Sequence, residues 1–196
     1  MIPKVLFYLP LLQAHPSVYM RYPRVHQLGF VVDDIKKAME EYGKIYHVKK
    51  WYRAGHTPDD DMYYLGEKIK DDGFDLVIGY CGVTEIELIT TKAEKSIYAN
   101  FLREQGPGLH HISFFCTNLE KCINEYKSMG FEVVQNGFLQ GKTTRTDYAY
   151  LARPGEKYSR IVEFSVSRIF GIVPMIRSRW NIWIGCLTGD SQRITP

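Results

Sequence analysis

Residues 109–130, LHHISFFCTNLEKCINEYKSMG, decide the fold because they repeat the plan of residues 25–46, VHQLGFVVDDIKKAMEEYGKIY. Each stretch begins with a strand-like alternation of apolar residues and continues with apolar residues at the spacing of one helix face. A strand followed by an amphipathic helix therefore occurs twice in the chain. This duplication predicts two structurally similar modules.

The ends of the two predicted helices carry recognisable signals. Asp33 or Asp34 can cap the first helix and Asn118 the second, because a short polar side chain accepts a hydrogen bond from a free amide of the first turn. Gly130 is suited to the end of the second helix, where the backbone often turns left-handed.

Three extended segments follow each helix: KKWYRAG, FDLVIGY and TEIELIT in the first half, and FEVVQNG, TDYAYLAR and SRIVEFSV in the second. Each half is therefore predicted to be βαβββ, which indicates an α+β fold. The predicted organisation is an N-terminal extension at 1–23, a first module at 24–91, a linker at 92–107, a second module at 108–166 and a C-terminal extension at 167–196. The linker contains a further helix in SIYANFLREQ. The C-terminal extension could cover a pocket, extend the sheet or support a dimer.

Composition excludes several classes of protein. The 196 residues are 45% apolar and 24% charged, as in soluble globular proteins, and a formal net charge of +3 gives no reason to expect nucleic-acid binding. The four cysteines contain no CxxC pair, so neither a disulfide scaffold nor a zinc knuckle is predicted. Cys116 and Cys122 are expected in the core.

The N-terminal apolar run predicts neither secretion nor a membrane span. It is broken by Pro10, is short, and lacks a small-residue cleavage site. Residues 1–19 are expected to form an accessory extension or to precede the true start at Met20. We expect a cytoplasmic protein without a membrane partner.

Strand parity selects the side chains that face the open side of the sheet, since successive residues of a strand point to opposite faces. Ile112 and Phe114 are natural neighbours of the second helix. His110 is then expected on the helix side and His111 on the open side. The same rule places Gln27, Glu87 and Glu163 on the open face. Glu85 shares this face and is expected either behind Glu87 or as an exposed edge carboxylate.

Gln27, Glu87, His111 and Glu163 would bring two carboxylates, an imidazole and an amide oxygen to one face. This donor set suits a divalent metal with positions left for substrate or water. Two carboxylates in one cleft are costly unless a cation or a shared proton compensates their charge. The sequence therefore predicts a metal centre or a pair of acids that share a proton.

Four fragments in this order resemble the vicinal oxygen chelate superfamily, that of glyoxalase I and methylmalonyl-CoA epimerase. VHQLGFVVDDI resembles the opening strand, TEIELI the strand with the first acidic ligand, SIYANFLREQGPGLHHISFF the linker and third-ligand strand of epimerase-like members, and RIVEFSV the strand with the final glutamate. The resemblance covers residues 24–166. It implies that two tandem βαβββ modules form a cupped, barrel-like mixed sheet with the helices on the outside.

The family's metal positions fall on Gln27, Glu87, His111 and Glu163, and the implied cofactor is a divalent ion such as Zn, Ni, Co, Mn or Mg. The epimerases usually have histidine where this chain has Gln27, with His26 one residue out of phase, and they tend to have glutamine in place of Glu87. The set Gln-Glu-His-Glu is instead found in some glyoxalase I enzymes. The flanking motifs thus resemble epimerases while the ligands resemble glyoxalases.

The resemblance implies removal of a proton next to a carbonyl or acyl-thioester group, with the metal stabilising the enediolate or enolate. Glu163 is the predicted base and Glu87 its counterpart, because proton transfer requires a group within hydrogen-bonding reach of the carbon. We expect a metal-dependent isomerase or epimerase of a small molecule, assembled as a homodimer.

Two other functions stay open. One is a glyoxalase I-like lyase acting on a thiol hemithioacetal, although the sequence has no obvious basic cluster for the carboxylates of glutathione. The other is a metal-free protein that binds an apolar or aromatic compound in the same cup, and the intact carboxylate set argues against it. A dioxygenase would need two histidines and one carboxylate, a pattern that Gln27 does not fit.

Overall fold

The computed structural model describes residues 24–54, 61–69, 73–94, 96–156, 158–172 and 178–196. The predicted extension at 1–23, which includes Met20, lies outside this part of the chain. The described residues form eleven strands and four helices in the order β1 (Gln27–Val31), α1 (Ile35–Ile45), β2 (Trp51–Ala54), β3 (Met62–Tyr64), β4 (Glu67–Ile69), β5 (Asp75–Cys81), β6 (Thr84–Thr90), α2 (Ile97–Gln105), β7 (Gly108–Phe115), α3 (Leu119–Ser128), β8 (Glu132–Gln140), β9 (Thr144–Ala152), β10 (Ile161–Ile169), α4 (Ser178–Thr188) and β11 (Ser191–Ile194). None of these four helices is long and apolar enough to cross a membrane.

The strands form one sheet in the order β11-β2-β5-β6-β1-β7-β10-β9-β8-β3-β4. The blocks β2-β5-β6-β1 and β7-β10-β9-β8 have the same topology: the first strand of each module pairs in parallel with its last, and the other pairs are antiparallel. The two blocks join where β1 and β7 pair antiparallel. The predicted α+β fold, a cupped mixed sheet of two βαβββ modules, is confirmed.

The helices of the two modules cover the outer face of the sheet. α1 contributes Ile35, Ala38 and Met39 to one buried cluster with residues of β1 and β6. α3 contributes Cys122 to a second cluster with β9 and β10, and Cys116 packs against it. Cys122 is therefore part of the core, as predicted, and Cys116 is half-buried at its edge.

The predicted helix signals are confirmed. α1 is capped by Asp34 rather than Asp33, with the Lys37 amide donating to its carboxylate at 3.0 Å. The Lys121 amide donates to Asn118 at 2.9 Å at the start of α3, and Gly130 follows that helix with a φ of 85°.

Segments outside the repeat extend the sheet at both edges. The β3–β4 hairpin, inserted in the first module, pairs with β8 of the second module. At the other edge β11 pairs with β2. The helix before it, α4, lies over the concave face, where Ile182 joins the buried apolar cluster together with Tyr98 of α2. The C-terminal segment therefore both extends the sheet and covers a pocket.

Asp190 ties this C-terminal segment to the β8–β9 hairpin of the second module. Its carboxylate accepts hydrogen bonds from the amides of Lys142 and Thr143 and from the hydroxyls of Thr143 and Thr144. Burial would raise the pKa of Asp190, but these hydrogen bonds outweigh it and hold the pKa below its usual value of 3.8. Asp190 thus connects two regions that lie far apart in strand order.

We predict that Asp190→Ala lowers the free energy of unfolding by about 2–3 kcal/mol at pH 7, because several donors lose a charged acceptor. The exposed Asp33 provides the matched control, Asp33→Ala. Because the pKa of Asp190 is lower in the folded than in the unfolded protein, its charge stabilises the fold at pH values above the unfolded pKa of 3.8. This stability is lost as the pH falls through the folded-state pKa. Urea unfolding should show a smaller difference in unfolding free energy between the wild-type protein and Asp190→Ala at pH 3 than at pH 7. Equal stability of the two variants at pH 7 would contradict this role.

Candidate active site

The concave face of the sheet holds a cavity of about 140 Å³ whose acidic lining comes from β6, from β10 and from Asp190 before β11. Gln27, Glu85, Glu87 and Glu163 line it, and all four residues are buried. Much of the remaining lining is apolar or aromatic, including Phe74, Leu76, Ile78, Ile89, Tyr148 and Tyr150. Three carboxylates thus lie in surroundings that disfavour isolated charge.

His111 lies beneath these carboxylates rather than in the cavity wall. Its side chain is fully buried, and its Nε2 lies 3.4 Å from Oε2 of Glu87 and 3.3 Å from Oε2 of Glu163. Burial would lower the pKa of His111, but the close carboxylates of Glu163 and Glu87 outweigh it and raise the pKa to about 9. Without a metal, the ring therefore carries a proton between two acids.

Gly29 allows the imidazole to reach Glu87. In the sheet register Gly29 of β1 lies opposite both Glu87 of β6 and His111 of β7. Neighbouring strands are about 4.8 Å apart, so the ring has to cross β1 to meet the carboxylate. A Cβ atom on Gly29 would lie 2.0 Å from Cε1 and 2.3 Å from Nε2 of His111. The site therefore requires a residue without a side chain at this position.

His110 lies on the same side of the sheet as His111, so its predicted position on the helix side is wrong. The β1–β7 register shifts here: Gly29 is opposite His111, but the next residue, Phe30, is opposite Leu109. This bulge leaves His110 without a partner in β1 and redirects its side chain. The His110 ring contacts Tyr98, Phe101 and Tyr150.

The two histidines are joined through their Nδ1 atoms, which lie 2.9 Å apart. Burial and the charge of His111 lower the pKa of His110 well below its usual 6.5, so His110 is neutral and accepts at Nδ1. His111 then donates from Nδ1 and turns Nε2 toward the carboxylates. A partner on one ring nitrogen that orients the other is typical of metal-binding histidines.

Glu85 is buried behind Gln27 and is not an exposed edge carboxylate. Gln27 donates from Nε2 to its Oε1 at 2.8 Å, and the Tyr80 hydroxyl donates to its Oε2 at 3.0 Å. Burial and the nearby charge of Glu87 raise the pKa of Glu85 to about 8 despite these hydrogen bonds. Because the nitrogen of the Gln27 amide faces Glu85, the amide has to rotate before its oxygen can bind a metal.

The donor chemistry of the cleft fits a divalent ion. Nε2 of His111 and Oε2 of Glu163 are buried without a hydrogen-bond partner. Two ligands of a tetrahedral ion at about 2.1 Å lie about 3.4 Å apart, close to both separations given above. Within the described ranges, however, no three His, Cys, Asp or Glu side chains already form a metal-ligand group. An ion would have to replace the proton of His111 and draw the carboxylates inward.

Sequence reasoning placed Gln27, Glu87, His111 and Glu163 on one face, and the structure brings them to one cleft. It missed the roles of Gly29 and Tyr80. A glycine inside a predicted strand often marks a close approach by another group, so Gly29 could have been identified. Tyr80 had no such signal, because it meets Glu85 through the pairing of β5 with β6.

We predict that Gly29→Ala displaces the His111 ring from Glu87 and Glu163. In metal-free protein, NMR titration should give a His111 pKa of about 9, falling toward its usual 6.5 in the variant. The matched control is Gly108→Ala on β7, where an added Cβ would meet no atom within 4 Å. An unchanged His111 pKa in Gly29→Ala would show that the ring does not depend on this glycine.

Similar folds occur among solved structures. A hypothetical protein from Bacillus halodurans C-125 is 22% identical over 74% of this chain and 94% of its own, with a TM-score of 0.55. A variant of Streptomyces coelicolor methylmalonyl-CoA epimerase, in complex with 2-nitronate-propionyl-CoA, is 18% identical over 73% of this chain and 96% of its own, with a TM-score of 0.51. At these identities the likeness concerns the fold. No curated protein matches the chain.

The family assignment rests on a sequence match that covers most of both modules. Residues 26–150 match the model of the glyoxalase/bleomycin resistance protein/dioxygenase superfamily. This range includes Gln27, Glu87 and His111, and Glu163 follows it on β10. The chain therefore belongs to the glyoxalase/bleomycin resistance protein/dioxygenase superfamily, the vicinal oxygen chelate group that its sequence motifs predict.

Proposed function

We propose that the protein is a metal-dependent isomerase or epimerase that removes a proton next to a carbonyl or acyl-thioester group. The observation that carries this proposal is the approach of Glu87 and Glu163 to Nε2 of His111, at 3.4 and 3.3 Å, at the base of a partly apolar cavity. Two acids and one imidazole in such a place can hold a cation and transfer protons.

The proposed ligands are Gln27, Glu87, His111 and Glu163. A bound divalent ion would supply a Lewis acid that polarises the carbonyl oxygen of the substrate. Membership of the superfamily supports this proposal, because the family includes metal-dependent enzymes. Nε2 of His111 and Oε2 of Glu163 are buried without a hydrogen bond, which a bound ion would satisfy.

The roles of the protein's own groups follow from their positions. Glu163 removes the proton and Glu87 returns it, since both carboxylates face the cavity. Glu85 retains its own proton below a pH of about 8 and so adds no further negative charge at neutral pH. Aromatic walls that include Tyr148 and Tyr150 limit the access of water to the reacting carbon.

The substrate proposed for the first tests is a short acyl thioester. A cavity of about 140 Å³ suits a short acyl chain rather than a large ring system. Methylmalonyl-CoA is the natural first probe, because one of the similar structures is an epimerase in complex with this compound. The homodimer and the cytoplasmic location stay predictions.

A glyoxalase I-like lyase is the second candidate. The contact of Glu87 with His111 favours it, because the resemblance assigns a glutamate ligand at this position to glyoxalases. Both activities begin with the same proton removal and differ in where the proton returns. The presence of Glu85, Glu87 and Glu163 in the cavity lining argues against a metal-free binding protein, because a purely apolar ligand has no use for these carboxyl groups.

We predict metal-dependent exchange of solvent deuterium into methylmalonyl-CoA, measured by mass spectrometry after loading with Mn, Co, Ni or Zn. Glu163→Gln should slow exchange by about 10²–10⁴-fold, the usual contribution of a positioned base. Glu132→Gln, on the exposed end of β8, is the control. Exchange that survives Glu163→Gln would remove this base. Activity confined to a hemithioacetal would favour the lyase.

We predict that substitutions of His110 and His111 differ in their effect on metal binding. Protein purified without chelator should contain about one divalent ion per chain, and His111→Ala should lose it because a ligand is removed. His110→Phe should weaken affinity by about tenfold or more, because the partner that orients His111 is lost. Elemental analysis and metal titration measure both effects. Metal retained in His111→Ala would contradict the proposed centre.

A further inference from the structure

A second and larger concavity lies next to the candidate active site. This groove has a volume of about 820 Å³ and is lined by His47, Lys49, Lys50, Tyr52, Tyr80, Arg179, Ile182, Trp183, Cys186 and Arg193. Two lysines and two arginines thus share one surface with three aromatic side chains. No aspartate or glutamate belongs to this lining in the described part of the chain.

The basic character of the groove is visible only in the folded chain. Lys49 and Lys50 precede β2, whereas Arg179 and Trp183 lie on α4 and Arg193 on β11. The pairing of β11 with β2 places Arg193 opposite Tyr52. The basic cluster that appeared absent from the sequence is therefore assembled by the C-terminal segment, beyond the residues 26–150 that match the family model.

Most of the positive charge in the groove is available to a ligand. Arg179 is already engaged, since it donates to the carbonyl oxygen of Gly82 and lies over the Tyr80 ring. Lys49, Lys50 and Arg193 are exposed, and none of them forms an ion pair with a described carboxylate. Three exposed cations in one groove attract a ligand with more than one negative charge.

The groove is adjacent to the candidate active site. Ile182 lines both the groove and the cavity of about 140 Å³. Tyr80 lines the groove and donates to Glu85, which lines the cavity. A ligand that extends past Ile182 would place an anionic aromatic part in the groove and a short acyl part beside Glu87 and Glu163.

We propose that this groove binds the phosphorylated nucleoside part of a ligand. Phosphates meet Lys49, Lys50 and Arg193, and the base packs on the aromatic faces of Tyr52 and Trp183. The same chemistry is offered by a free nucleotide and by the nucleotide carrier of an acyl thioester. The assignment to the carrier of the substrate rests on the proposed function, whereas nucleotide binding itself does not.

Calorimetric titration of the full chain with ADP, adenosine, pyrophosphate and acetyl-CoA tests the proposal. ADP should bind more tightly than adenosine or pyrophosphate, and added salt should weaken binding. Arg193→Glu and Lys50→Glu should each weaken ADP binding by about tenfold or more. The matched control is Lys127→Glu on the exposed side of α3, with the same change of charge. Trp183→Ala should weaken ADP binding but leave pyrophosphate binding unchanged.

Two results would overturn the proposal: no binding of ADP or acetyl-CoA, or equal weakening by Lys127→Glu and Arg193→Glu, which would indicate attraction to net charge alone. Tighter binding of acetyl-CoA than of ADP supports the carrier of a thioester, and equal binding supports a free nucleotide. Glu163→Gln should leave ADP affinity unchanged. Nucleotide binding without deuterium exchange would therefore refute the proposed function alone, and exchange without nucleotide binding would refute the groove alone.

Discussion

The close approach of the His111 imidazole to the backbone of Gly29 is the contact on which the candidate site depends. Glu87 and His111 lie on strands that flank β1, and their side chains meet only across a residue that lacks a Cβ atom. The bulge in β7 places His110 beside the same ring and fixes its orientation. Backbone geometry thus brings an imidazole and two carboxylates together in a buried place where each alone would be costly.

The duplicated modules supply the site, and the segments outside the repeat shape its surroundings. β1 of the first module is equivalent to β7 of the second, and β6 to β10. Each of these four strands contributes one of the four proposed ligands. β11 and α4 then extend the first module and cover the concave face. Asp190 holds this C-terminal segment against the β8–β9 hairpin, and Ile182 of α4 lines both the cavity and the basic groove. The groove is therefore completed by residues beyond the matched family region.

Much of the fold was predictable because its signals are local. The helices begin at Asp34 and Asn118, and the second ends before Gly130, because of contacts within one turn. Strand parity selected Gln27, Glu87 and Glu163 without knowledge of which strands pair. Parity failed at His110, because a bulge depends on how β7 pairs with β1. The burial of Glu85 was also undecided, since it depends on Tyr80 of the neighbouring strand.

The amino-acid sequence by itself determined the two βαβββ units, the alternation that selects one face of each strand, and the residue types available for chemistry. Only the tertiary structure decided which side chains meet, as His111 does with Glu87 across Gly29 and Tyr80 with Glu85, and that Arg193 lines the same groove as the lysines before β2. The physical reason is the range of the interactions. Helix caps and side-chain alternation act over a few residues, whereas a charge cluster or a cavity depends on strand pairing between segments far apart in the chain.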